Sequence, residues 1–156
     1  MSSSASGPAA ALFVAIVAMG LAASAGAQSV SGRSATVWDG VFTAEQALRG
    51  QAAYTGPCDR CHGYKLDGAP EDPVMLPAPP VAGTKFLRKW SGRSLATLFE
   101  YTRVTMPSNN PGYLSDGDVA DIVAYMLSSS GAPPGTTALQ PDAGALASIV
   151  IVPRPQ

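Results

Sequence analysis

Cysteine and histidine are scarce in this chain of 156 residues, which holds two cysteines, Cys58 and Cys61, and one histidine, His62. A structural zinc site draws four ligands, mostly Cys and His, and this chain cannot supply them without recruiting carboxylates. There is no second histidine to act as an acid–base group on the far side of a metal, which argues against peroxidase-like catalysis. Charge is also sparse and balanced. With 10 basic and 11 acidic residues the formal net charge is −1, so nothing in the composition points to nucleic acid. The leader Met1–Pro8 carries neither Lys nor Arg. No internal repeat is visible, so whatever the cysteine motif does, it does once per chain.

What the chain does have is Cys58-Asp59-Arg60-Cys61-His62. This is C-x-x-C-H, the attachment pattern of a c-type haem. Two thiols separated by two residues can each add across one vinyl group on the same porphyrin edge, and the histidine that follows then lies beneath the iron. Competing readings of a C-x-x-C fit less well. A thioredoxin-type pair sits at the start of a helix after a buried strand, whereas this motif follows a helix and precedes a Gly- and Pro-rich loop. A disulfide between residues three apart would close a tiny loop and contribute little. Only the haem reading uses His62, and it implies one covalent haem c.

Residues 9–27 form an apolar run ending in Ala25-Gly26-Ala27, an h-region followed by an A-x-A cleavage site. Residues 1–27 are therefore expected to be a signal peptide cut before Gln28, with an uncleaved membrane anchor as the alternative. Export to the periplasm agrees with haem attachment, because the thioethers are made outside the cytoplasm. There two close thiols would otherwise tend to oxidise. The remainder is one domain's worth of chain.

Residues 28–42 read as an extended lead-in that packs on the body through Trp38, Val41 and Phe42. Thr43 and Gln46 have the form of a capping box, with Gln46 reaching back, and open a helix over 44–54. Gly50 and Tyr54 share a face of it. A mid-helix glycine costs stability, and close approach of another helix is the useful reason for one. Residues 63–83 are irregular, with prolines at 70, 73, 77, 79 and 80. A ligating imidazole donates its other ring N–H to a carbonyl, and Pro79 or Pro80 is the candidate acceptor. A short helical turn over 84–90 carries Phe86 and Trp90. Lys85, Arg88, Lys89 and Arg93 crowd that stretch, either as a solvated face or as partners for haem propionates or an acidic protein. The indole N–H of Trp90 suits a propionate. Ser94 caps a helix over 95–104, which ends before Met106-Pro107. Ser115 caps the last helix, which runs to about residue 130, with Asp116 and Asp118 against its positive end. Residues 131–156 form a Pro-punctuated tail whose run 149–152 is apolar enough to dock on the body.

His62 fills one axial position, so function turns on the other. Met126 lies on the apolar face of the last helix and reads as core. Met75 is a weaker candidate in the proline-rich loop. Met106, made rigid by Pro107 and far enough along the chain to return on the opposite face, is the expected second ligand, on the His/Met pattern of cytochromes c.

The chain resembles a small bacterial class I cytochrome c, periplasmic and monohaem. The resemblance rests on Gly50-x-x-x-Tyr54, Cys58-x-x-Cys61-His62-Gly63, Leu66-x-Gly68, Pro80-x-x-Gly83, Trp90, Met106-Pro107, and Leu114-Ser115 followed by Ile122-x-x-Tyr125. It covers roughly 42–130. It implies an all-α fold of about four helices around one haem, with the first and last helices crossing at Gly50, Ile122 and Tyr125. The cytochrome c domain is expected at 43–130, with Trp90, Arg93, Pro80, Leu98 and Leu114 as candidates for the haem pocket or its propionates. The Trp38–Val41 lead-in and the tail are similar to those of cytochromes that accompany quinoprotein dehydrogenases. The function implied is one-electron transfer by a monomer between redox proteins, for example a quinoprotein dehydrogenase and a terminal oxidase. No small-molecule substrate and no nucleic acid are implied. The competing readings are a haem-bearing subunit of a periplasmic dehydrogenase, or a gas-binding haem protein if the Met ligand is absent or labile.

Overall fold

A computed structural model describes Met1 and residues 34–156, apart from 70, 72, 75 and 76. The leader and its cleavage site, and Met75, lie outside the described residues. No helix among the described residues is long and apolar enough to cross a membrane.

The elements run β1 (Ala35–Thr36), α1 (Ala44–Tyr54), α2 (Asp59–His62), α3 (Gly83–Trp90), α4 (Leu95–Thr105), α5 (Asp116–Ser129), α6 (Ala143–Leu146) and β2 (Ile149–Val150). The fold is all-α in character. The four longer helices are the ones that the caps and periodicity require, and α2 and α6 add a single turn each. The hydroxyls of Thr43, Ser94 and Ser115 accept from the backbone N–H of Gln46, Thr97 and Asp118 and so start α1, α4 and α5.

The capping box is only half made. Gln46 does not reach back to Thr43. Its buried amide donates to Leu139 O at 3.0 Å, and Leu139 N donates to its Oε1 at 2.8 Å. The tail passes over the start of α1 and presents a peptide with no other partner there, and pairing a buried amide outweighs a surface cap.

α1 packs on α5, and the apolar stripe of α5 (Val119, Ile122, Val123, Met126) is buried there. A Cβ built at Gly50 would run into the backbone carbonyl of Asp121 and lie 2.9 Å from Tyr125 Cβ. That position is glycine because the two backbones nearly touch. Tyr54 and Tyr125 stack edge to face beside it, 5.5 Å between centroids. Arg49 clasps Asp121 across the same junction (Nε to Oδ2 2.7 Å).

β1 and β2 form a two-residue parallel pair, with Ala35 opposite Ile149. Residues 149–151 are also held on their other side, where Gly92 N donates to Ile151 O (2.8 Å) and Ile151 N to Arg93 O (2.9 Å). The Trp38 indole donates to the carbonyls of Val152 and Pro153. Val37, Phe42 and Ile151 are fully buried, so lead-in and tail close one side of the core together.

Candidate functional site

The Cys-x-x-Cys-His segment forms the single turn α2. Cys58 O accepts from His62 N at 2.9 Å, and Gly63, at a positive φ of 74°, ends the turn. A helical turn is what puts residues 58, 61 and 62 on neighbouring positions rather than on opposite sides of an extended strand. All three line one cavity of about 620 Å³.

Met106 lines the same cavity. It caps α4, its N–H donating to Thr102 O at 3.0 Å, and its own backbone is already extended (φ −119°, ψ 149°). Pro107 forces that exit. The remaining wall is mainly apolar and includes Pro80, Val81, Phe86, Trp90, Leu98, Ile122 and Met126. Two of its polar side chains are turned to partners in the protein: Thr102 Oγ1 donates to Leu98 O at 2.9 Å, and the Tyr54 hydroxyl to Gly63 O at 2.9 Å. No buried side-chain nitrogen or oxygen among the described residues lacks a partner. The charged side chains on the lining, Arg60 and Lys89, are both cationic.

His62 Nδ1 lies 2.8 Å from Pro79 O. A carbonyl only accepts, so Nδ1 carries the proton, and in the neutral ring Nε2 then holds the lone pair. Of the two carbonyls considered from sequence, Pro79 is the partner, and Pro80 lies on the wall. Burial pushes the Cys58 thiol up to about 12, and the neighbouring Asp59 and Cys61 push in the same direction. A free thiol there stays protonated at neutral pH.

The cavity therefore brings together Cys58, Cys61, His62, Met106, Trp90, Leu98 and Pro80. It does not include Arg93, which is exposed and stacks over the Trp90 ring at 5.3 Å, or Leu114, which is buried in the core. Lys89 reaches the lining, and Lys85 and Arg88 do not. Met126 is both core and wall. Tyr101, Asn109, Asn110 and Tyr113 line the cavity without having been marked in the sequence. Tyr101 could have been found, because it stands three residues after Leu98 and packs edge to face on Trp90 at 5.5 Å. The others sit on an irregular loop that has no periodicity to read.

The donor set fits a covalent haem: two thiols on one turn, an imidazole with one lone pair free, a thioether from a separate element, and an apolar wall of adequate size. Residues 45–126, more than half of the chain, match the family described as cytochrome c oxidase, cbb3-type, subunit III. Among solved structures, a chain of the sulfane dehydrogenase SoxCD from Paracoccus pantotrophus is similar at 20% identity and a TM-score of 0.46, over 73% of this chain. This chain spans 61% of the length of that one. No curated protein matches.

Proposed function

The chain belongs to the cytochrome c family described as cytochrome c oxidase, cbb3-type, subunit III, an electron-transfer family that uses haem, and on that premise we propose His/Met ligation of one covalent haem c. Cys58 and Cys61 would carry the thioethers, and His62 and Met106 would hold the iron. The observation that carries this reading is that the three motif residues and Met106, from opposite ends of the domain's sequence, line one cavity.

The bound haem iron supplies a one-electron change between ferric and ferrous states. The protein's own contribution is to hold the ligands and keep the site dry. Pro79 O accepts a hydrogen bond from His62 Nδ1–H, which makes the imidazole a stronger donor through Nε2. The Met106 thioether, if bound to the iron, would raise the potential relative to harder ligands. The mainly apolar wall excludes water and lowers the reorganisation that a change of charge demands. Lys89, with the indole N–H of Trp90, is suited to the propionates.

The carrier works in the periplasm, between redox proteins for which a quinoprotein dehydrogenase and a terminal oxidase are the proposed donor and acceptor. The apolar run ending in Ala25-Gly26-Ala27 supports that compartment. The test is the electronic spectrum of the purified haem protein. The weak red band of a ferric haem bound to Met sulfur is expected in the wild type and is lost in Met106→Ala. A five-coordinate high-spin wild type that binds carbon monoxide readily would overturn the proposal.

A further inference from the structure

His62 is held at both its backbone and its ring by one closed circuit of hydrogen bonds. His62 O accepts from Gly68 N at 2.9 Å, Gly68 O accepts from Ala78 N at 3.1 Å, and one residue on, Pro79 O faces His62 Nδ1 at 2.8 Å. Gly68 is the only residue through which both backbone bonds of that circuit pass. It is buried, at a φ of +83°. A Cβ built there would collide with Ala78 O and lie 3.0 Å from Pro80 N and 3.1 Å from the Pro79 carbonyl carbon. Two residues earlier, Leu66 grips the far end of the same segment, its carbonyl accepting from Val81 N (2.8 Å) and Ala82 N (3.3 Å). It does so at a φ of +58°, a conformation that costs a side-chain-bearing residue, with its side chain buried in the core. The turn is thus fixed from beneath, and residues 77–82 lie against it.

We propose that Gly68 is a positioning residue for the His62 imidazole: its missing side chain lets the 78–80 backbone come close enough for Pro79 O to hold the ring proton. A side chain at 68 pushes that carbonyl outward and stretches the bond, so Nε2 becomes a weaker donor. The ferric state then loses more than the ferrous one and the midpoint potential rises. This inference rests on His62 being an iron ligand.

A plainer account is that Gly68 serves only its positive φ. Asparagine separates the two, since it tolerates that backbone region but carries a Cβ. The experiment compares haem-loaded wild type, Gly68→Ala, Gly68→Asn and, as a control for instability remote from the loop, Gln46→Leu, which breaks only the bonds to Leu139. Both position-68 variants are expected to raise the potential. In both, the His62 ring proton exchanges about tenfold faster, the change for losing one ordinary hydrogen bond. Gln46→Leu moves neither. A Gly68→Asn protein with the potential and exchange of the wild type overturns the proposal. If neither position-68 variant folds, Ala78→Pro removes the Ala78 donor without adding bulk at 68, and an unchanged potential there also overturns it. His62→Ala is the check on the underlying reading. If it leaves the low-spin spectrum intact, the ligation itself is wrong and this inference falls with it. If it abolishes that spectrum and the position-68 variants are silent, only the inference fails.

Discussion

Replacing Gly50 with alanine sets two known magnitudes against each other. In an isolated helix the change would stabilise α1 by about 1 kcal/mol, the propensity difference between the two residues. In the folded protein the new methyl group has no room, because the Asp121 carbonyl occupies the site and Tyr125 Cβ stands at 2.9 Å. Carbon atoms pack best at about 3.5–4.0 Å. The obstructing atoms are backbone within α5 and a Cβ attached to it, so no side-chain rotation relieves the clash, and the helices must separate. Overpacking of this kind costs about 1–3 kcal/mol, and with backbone on both sides the upper part of that range applies. Separation also loosens the Tyr54–Tyr125 contact and the Arg49–Asp121 pair, which span the same junction. The net expectation is a loss of about 2 kcal/mol, or a fall in melting temperature of roughly 5–10 °C for a domain of this size. Circular dichroism during thermal and urea unfolding of the haem-loaded protein measures it. Gly117→Ala is the matched control: it lies in the first turn of α5 with Ser115 Oγ, at 3.8 Å, as the nearest atom, and is expected to be neutral or stabilising by up to about 1 kcal/mol. A Gly50→Ala protein as stable as the wild type would refute close backbone approach as the reason for the glycine.

Two further outcomes follow from buried polar groups. Burial holds the Tyr54 hydroxyl well above the usual tyrosine range, with Cys58 and Tyr125 adding smaller pushes. The folded pKa is raised, so the effect is silent below about pH 10. Above that, the unfolded chain releases its proton first, and stability falls by up to about 1.4 kcal/mol per pH unit. Urea midpoints measured between about pH 9 and 11.5 should show this extra slope in the wild type and not in Tyr54→Phe; equal slopes would count against it. Gln46→Leu keeps the bulk but strands the N–H and C=O of Leu139, at a cost of about 2–4 kcal/mol. Limited proteolysis should then cut residues 133–142 sooner, and an unchanged cleavage rate would show that the tail is held by other contacts.

Much of this molecule is legible along the chain because the signals are short-ranged. Thr43, Ser94 and Ser115 announce their helices because a cap bonds to an N–H three residues on. The Met106-Pro107 pair ends α4 by a clash between adjacent residues. Gly50 was readable as a close approach because a glycine inside a helix carries a cost that something must offset. Gln46 shows where this logic stops. Its position in a capping box predicts a local bond, yet its partner is Leu139, and no local rule ranks a contact that distant in sequence above one within the same turn. The choice between Pro79 and Pro80, and the exclusion of Arg93 and Leu114 from the cavity, were likewise beyond reach, since adjacent residues look alike until the loop is closed.

The sequence by itself determined the chemistry: two thiols and an imidazole at covalent spacing, one thioether positioned by a proline, and the all-α frame that carries them. Those depend on bonds and clashes between near neighbours, which survive any tertiary context. Only the tertiary structure decided how the single histidine is held. Its Nδ1–H donates to Pro79 O, beside the turn that holds Gly68 and the buried Leu66. The reason is physical. A hydrogen bond fails over a few tenths of an ångström, and such a separation is the sum of every packing contact in the loop.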